Sequence, residues 1–291
     1  MKVTLIVAIS LLMLVPLAWF FAGGEKTVEI FPVYIDVAPV YMGVIPFLQP
    51  DKLRQQMEPV YSYLEKKLNR PVILTTVSDY ESLARLLELK KVHIAWFSHA
   101  SLEKFRGDKP WEVICRPMQY GNVIYTGQII VNSNSKIETL KDLQGCSFAY
   151  VDRYSGSGFF FPNILFARQG IKPLDFFSQV FFTQSHKNSI EGVKSGLYDA
   201  AAVFSASLLA DDQDEFKVIA RTDPIPNDPF VVRGDLDAGL KKAITEAMLN
   251  MHEDPFGQKQ LEILNRLRGT EKFVSEAEVQ TQLNILADFM K

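Results

Sequence analysis

The sequence predicts an α/β protein of two lobes, each a mostly parallel sheet with helices on its faces. Three observations predict it. Short apolar or β-branched runs alternate with stretches of helical periodicity, the pattern of sheets whose crossovers are helices. The alternation begins near Val40 and begins again near Tyr125. And 291 residues, 47% of them apolar, are enough for two medium-sized cores.

In chain order, Val40–Pro46 is an apolar run stopped by Pro, a buried-strand signal. Leu53, Met57, Val60, Leu64 and Leu68 then recur at helical spacing, with Pro59 expected to kink that helix. Pro71–Val77 is β-branched, and Ser78-Asp79-Tyr80-Glu81 reads as a capping box opening a second helix. His93–Ser98 is a further strand. In the second unit, Tyr125–Asn132 reads as a strand, Ile137–Leu143 as a short helix, and Cys146–Asp152 as a strand. A helix over Gly158–Gln169 is stopped by Gly170. Gln179–Thr183, Asp199–Phe204, Phe216–Ala220 and Phe230–Arg233 are strands, with a helix over Asn188–Ser195. The tail is helical: Leu240, Ile244, Met248 and Met251 share a face, and Ser275–Glu278 is a second capping box before a final helix. Residues 40–122 and 220–291 thus make the first lobe and 123–219 the second, crossed twice by the chain, with 25–39 a linker.

Composition narrows the function. With 31 Lys+Arg against 34 Asp+Glu, a net charge of −3 argues against a nucleic-acid binder, which carries a basic face. Four histidines, at 93, 99, 186 and 252, and two cysteines show no HxxxH or CxxC spacing, so a metal centre has little material. Cys115 and Cys146 fall on strands of different lobes, which disfavours a disulfide between them. Residues 1–24 hold one Lys followed by an uncharged run to Gly24. Two readings fit: a signal peptide ending at Ala22-Gly23-Gly24, or a retained anchor, since 3–22 is about the 20 residues that span hydrocarbon. Either implies export and, for the anchor, membrane contact through 3–22.

The stretch that carries chemistry is Tyr150-Val151-Asp152-Arg153-Tyr154-Ser155-Gly156-Ser157-Gly158, between a strand and a helix. Unpaired N–H groups in a helix's first turn attract anions. Glycines let the backbone approach a ligand, and the two serines add hydroxyl donors. No Lys follows, so this is not a nucleotide P-loop. An ordinary serine N-cap is the plainer reading of the same residues.

The run containing this turn resembles the phosphate, phosphite and phosphonate periplasmic binding proteins of ABC transporters, which have the type II periplasmic-binding-protein fold. That family's pattern is V-D-P, S-T-S-G, a Pro, a helix ending in Gly, G-S-H, and G-x-x-D-A. Here stand Val151-Asp152, Ser155-Gly156-Ser157-Gly158, Pro162, Gly170, Gln184-Ser185-His186 and Gly196-Leu197-Tyr198-Asp199-Ala200. The family's I-P-x-D-P is Ile225-Pro226-Asn227-Asp228-Pro229, and its Y-L-E-K-x-L is Tyr63–Leu68. The resemblance spans roughly residues 40–275.

It implies a ligand cleft between the lobes, with Ser155, Gly156, Ser157 and Gly158 as anion cradle and His186 beside it. Asp228 would accept from a protonated ligand oxygen, which sulfate lacks; a plain turn residue is its alternative. From the first lobe, Ser98 and His99 follow a strand's C-terminal end, where α/β clefts bind ligands. Phe47 follows the first strand as a packing contact, and Tyr125 and Thr126 sit at the crossover. There are departures. The family's central Thr is Gly156, removing one hydroxyl. Val203-Phe204-Ser205-Ala206 lacks the acidic residue that meets a cationic amino tail. A small or uncharged ligand is therefore expected: phosphate, phosphite or a short alkylphosphonate. The resemblance implies a monomeric periplasmic carrier that delivers to an inner-membrane permease, without catalysis, cofactor or metal. The alternative is an anchored sensory module signalling occupancy to a kinase or another membrane partner.

Overall fold

The computed structural model describes residues 38–45, 50–208 and 214–289; the leader 1–24, nearly all of the linker 25–39 and Phe47 lie outside the described residues. Among the described residues no helix is long and apolar enough to cross a membrane.

The chain opens with β1 (Val40–Val44), α1 (Pro50–Leu68), β2 (Val72–Thr76), α2 (Tyr80–Glu88), β3 (Ile94–Trp96), α3 (His99–Arg106) and β4 (Trp111–Gln119). The helix α1 continues past Pro59. The N-cap of α2 falls at Asp79, one residue later than the capping box suggests, because Asp79 Oδ1 accepts from Ser82 N at 2.7 Å. A short crossing strand, β5 (Ile124–Tyr125), leads into β6 (Gly127–Asn132), β7 (Ser147–Tyr150) and a single π-helical turn, Gly156–Phe160. There follow α4 (Phe161–Arg168), α5 (Pro173–Phe176), β8 (Gln179–Phe182), α6 (His186–Lys194), β9 (Ala200–Phe204) and β10 (Phe216–Arg221). The return is β11 (Ile225–Pro226), β12 (Phe230–Arg233), α7 (Ala238–Leu249), α8 (Pro255–Arg268), β13 (Thr270–Val274) and α9 (Glu276–Phe289).

These strands make two main sheets, in orders β13-β4-β12-β3-β1-β2 and β10-β6-β9-β7-β8. Each sheet is mixed rather than mostly parallel. The helix-linked strands β1, β2 and β3, and β7, β8 and β9, run parallel as expected. The strands beside the crossings do not: β12 is antiparallel to β3 and β4, β13 to β4, β6 to β9, and β10 to β6. A chain that leaves one sheet and comes back re-enters it without a helical crossover, so nothing obliges it to run parallel. Arg221 closes β10, so the second sheet extends slightly past residue 219.

Apolar side chains cover both faces of each sheet. In the first lobe, Leu53, Met57, Tyr63 and Leu64 of α1 and Met248 of α7 pack under β1 and β12. On the other face, Leu83 and Leu87 of α2 meet Ala95, Phe97 and Val231. Phe148, Tyr150, Phe166 and Phe177 form an aromatic core in the second lobe. Cys115 and Cys146 are both free thiols.

The lobes are joined by the antiparallel pair of β5 and β11, in register Ile225 to Tyr125 and Pro226 to Ile124. One predicted strand, Tyr125–Asn132, is therefore two, since the chain passes between lobes at Thr126. Asn227 secures the crossing: its amide donates to the carbonyls of Pro117 and Asn122 at 2.9 and 3.0 Å. Buried Arg116 donates to Asn227 O at 2.6 Å and reaches Glu276 of α9 through two nitrogens.

Candidate functional site: an interlobe cleft

A cleft of about 670 Å³ opens between the sheets. The first lobe lines it with Ile45 and Ser98, which follow β1 and β3, and with Asp228, which precedes antiparallel β12. All three therefore lie along one edge of that sheet. The second lobe contributes the turn after β7, the start of α6 and Phe204 at the end of β9.

Ser155 caps the π turn, its Oγ accepting from Gly158 N at 3.0 Å. An N-cap serine that accepts in this way keeps its O–H for another acceptor. The amides of Gly156 and Ser157 come first in the turn, where helical geometry offers no carbonyl, and they have no acceptor among the described residues. Gly158 shapes the turn rather than lining the cleft: a Cβ there would meet Val151 side-chain carbons at 2.6 Å.

At Gly156 a Cβ would lie 2.9 Å from the Tyr125 hydroxyl oxygen. That phenol thus occupies the space a side chain at 156 would take. It hydrogen-bonds Ser157, and burial, with the Asp228 carboxylate nearby, pushes its pKa up, so it remains a protonated donor. Edge-on packing on Phe204, with centroids 5.1 Å apart, holds the ring. The crossing strand thus sets a hydroxyl where a side chain at 156 would stand.

His186 Nδ1 accepts from Phe204 N at 3.0 Å. A nitrogen that accepts carries no proton, so the neutral ring bears its hydrogen on Nε2. Burial pushes this imidazole down to about 4, which keeps it neutral at pH 7 with one N–H to donate. Asp228 Oδ1 accepts from His99 N at 3.1 Å, and its carbonyl accepts from Trp96 Nε1 at 2.9 Å. Burial pushes this carboxyl up to about 6, against the opposing pull of that backbone N–H, Arg116 and Arg268.

The expected residues are brought together unevenly. Ser98, Tyr125, Ser155, Gly156, Ser157, His186 and Asp228 line one cleft. His99 does not line it. Its backbone serves Asp228, while its ring lies 6.0 Å from that of Phe161 and its Nδ1 has no partner among the described residues. Thr126 does not line it either; its carbonyl accepts from Ser205 N at 3.1 Å. Phe47 is outside the described residues.

Ser98 also works across the lobes, donating to Tyr154 O at 2.8 Å. The Tyr154 ring, carried by the second lobe, packs on Tyr80 and Phe105 of the first, at 5.8 and 5.0 Å between centroids. Sequence reasoning missed Tyr80, Gln119, Lys187, Lys194 and Arg268, all in the lining. Arg268 carries the signature of an ordinary basic helix end, so nothing in its sequence context marks it.

Comparison with known proteins agrees with this architecture. The family model described as "ABC transporter, phosphonate, periplasmic substrate-binding protein" matches residues 42–277. A phosphonates-binding periplasmic protein of Escherichia coli is 28% identical over 234 residues, 76% of this chain and 69% of that protein. Among solved structures, a binding protein component of an ABC phosphonate transporter from Pseudomonas aeruginosa superposes with TM-score 0.72 at 22% identity, covering 82% of this chain and 81% of that one. A Prochlorococcus marinus protein in complex with methylphosphonate gives 0.71 at 21% identity, covering 84% and 98%.

Proposed function

Since the chain belongs to the phosphonate family of ABC-transporter periplasmic substrate-binding proteins, we propose that its interlobe cleft captures a small phosphorus oxyanion through a ring of neutral donors. The family is one of binding proteins, not enzymes, and its members work with a membrane permease. In this reading the oxyanion sits against the first turn after β7. It accepts from the amides of Gly156 and Ser157, the hydroxyls of Ser155 and Tyr125, and Nε2–H of His186, while the Ser157 hydroxyl donates to Tyr125. Neutral donors bind an anion without a bulk positive charge, and hydrogen bonds to a charged acceptor are the stronger kind. The ligands are phosphate, phosphite and short alkylphosphonates.

One observation carries the reading: the lining brings Asp228 into the same cleft as these donors. An acidic group beside an anion is tolerable only when one proton lies between them. A monoprotonated phosphonate or phosphate supplies it and sulfate does not, so the cleft selects phosphorus over sulfur oxyanions. Hinge motion about β5 and β11 closes the lobes on the ligand. The run over 3–22 is the export segment, and one pair of lobes suffices for a monomeric carrier.

Calorimetric titration with phosphate, phosphite, methylphosphonate, 2-aminoethylphosphonate and sulfate tests this. Binding of at least one of the first three, with none of sulfate, is expected. Failure of every phosphorus oxyanion to bind would overturn the reading, and sulfate binding as tight as phosphate would overturn the role of Asp228.

A further inference from the structure

The cleft is large for a methyl group on phosphorus. At about 670 Å³ it falls in the range of about 300–1,000 Å³ typical of drug-sized ligands, whereas methylphosphonate has five heavy atoms. On the first lobe the lining includes Trp96, Gln119 and Arg268. Arg268 is the last residue of α8, before Gly269 in left-handed conformation (φ 69°). An arginine at a helix end usually extends into solvent beside the terminal carbonyls. This one lies with its guanidinium carbon 4.1 Å from the Trp96 ring centroid. Behind it the indole stacks on Phe230, at 5.4 Å and 3° between planes, so the platform is rigid. Gln119 Nε2 donates to Arg268 O at 3.1 Å and to Thr270 Oγ1 at 3.3 Å, which fixes where the side chain departs. Its Nη1 donates to Met57 Sδ, a weak acceptor, at 3.9 Å, and a guanidinium on an aromatic face presents its N–H groups edgewise, in the geometry that matches a carboxylate or phosphoryl group.

Charge points the same way. Asp228 is the carboxylate whose charge acts on Arg268. Once Asp228 shares a proton with a bound oxyanion, the negative charge it sets on Arg268 is reduced. A second anion on the same ligand would set negative charge beside Arg268 again. Across the cleft, the end of β9 and the turn after it, Val203-Phe204-Ser205, carry no carboxylate, and Glu191 of α6, which does line the cleft, is paired with Lys187 at 3.5 Å.

We propose that Arg268 on Trp96 forms a second anion subsite, so that this chain takes a phosphorus oxyanion whose short carbon chain ends in another anionic group. The subsite rests on the reading of the cleft given above and names its substrate class. The first test needs no variant. Calorimetry compares propylphosphonate with 3-phosphonopropionate, which differ in the terminal carboxylate, and adds methylenebisphosphonate to ask whether a second phosphoryl group serves. The carboxylate or second phosphoryl should tighten binding by about tenfold or more over propylphosphonate. In Arg268→Gln that advantage should shrink to about twofold or less. Equal affinities in the unaltered protein would overturn the proposal. So would an Arg268→Gln variant that weakens both ligands by the same factor, which would make Arg268 only a counterion to Asp228. If methylphosphonate also fails to bind, the cradle reading fails and this proposal falls with it; if methylphosphonate binds and the second anion adds nothing, this proposal fails alone.

Discussion

Replacing Gly156 by Ala tests whether the Tyr125 hydroxyl has taken over a place in the anion cradle. The new Cβ would stand 2.9 Å from Tyr125 Oη, where ordinary contact begins at 3.4 Å, an overlap of about 0.5 Å. The hydroxyl cannot easily yield, because its ring is held edge-on by Phe204. Gly156→Ala should therefore push the phenol off its Ser157 partner and away from the ligand. Losing one hydrogen bond to a charged group costs about 1.5–3 kcal/mol, or about 10–150-fold in Kd at about 1.4 kcal/mol per tenfold. Tyr125→Phe removes the same hydroxyl by another route and should cost about as much. The two losses are one loss, so the double variant should bind about as well as Tyr125→Phe alone rather than at the product of both penalties. Gly156→Thr in the Tyr125→Phe background offers a hydroxyl from position 156 and should recover part of the affinity. Calorimetry with methylphosphonate measures all of these. Unaltered affinity in Gly156→Ala, or fully additive penalties, would refute the reasoning.

Three further outcomes follow from the same geometry. Above about pH 6 the Asp228 carboxyl is mostly ionised, so the shared proton arrives on the ligand, and affinity for methylphosphonate should fall with rising pH as the ligand loses that proton. Asp228→Asn should flatten that fall, and an unchanged pH dependence would remove Asp228 from the site. In the unliganded protein His186, at about 4 against about 6.5 unfolded, makes the unfolded chain the better proton acceptor between those values. Its contribution, up to about 3 kcal/mol, is present above pH 6.5 and lost as pH falls towards 4. Asp228 works oppositely, its contribution being full below about 3.8 and lost as pH rises through about 6. Denaturation of Asp228→Asn should therefore show a steeper loss of stability between pH 6.5 and 4 than the parent; a shallower one contradicts the assignment. Finally, Tyr154→Ala deletes the ring seated on Tyr80 and Phe105 and should enlarge the radius of gyration of the unliganded protein in solution scattering. An identical radius would show that this contact does not hold the lobes together.

Elements whose character is local were legible in the sequence. Phe230–Arg233 reads as a strand and is one, and the Ser155–Gly158 turn announces itself by glycines and serines between a strand and a helix. Pairing direction was not legible, because a strand's apolar run is the same whichever way its neighbour points. The segment Thr270–Val274 escaped notice since only its pairing with β4 distinguishes it from the helices around it. At the cleft, residue type located Ser155, His186 and Asp228, but orientation decided His99: a histidine beginning a helix can direct its ring to either side, and packing on Phe161 took it away. Tyr125 was a candidate from its position at the crossover, yet its relation to Gly156 required the distance between them. Arg268 was invisible for a physical reason, since its role depends on which ring lies beneath it.

The place of β12 in the first sheet has a consequence for how the chain folds. That strand sits between β3 and β4, pairing Val231 with Ala95 on one side and Val113 on the other. Until Phe230–Arg233 joins, β3 and β4 share no hydrogen bonds, and the first sheet is two separate hydrogen-bonded fragments. The five strands of the second sheet all lie between Gly127 and Arg221 and can assemble from neighbouring sequence. The inserted lobe can thus fold before the lobe that begins the chain, whose closure waits on contacts of long sequence separation, the slow kind. A polypeptide emerging from its N-terminus therefore cannot complete its first lobe before residue 233 has been made.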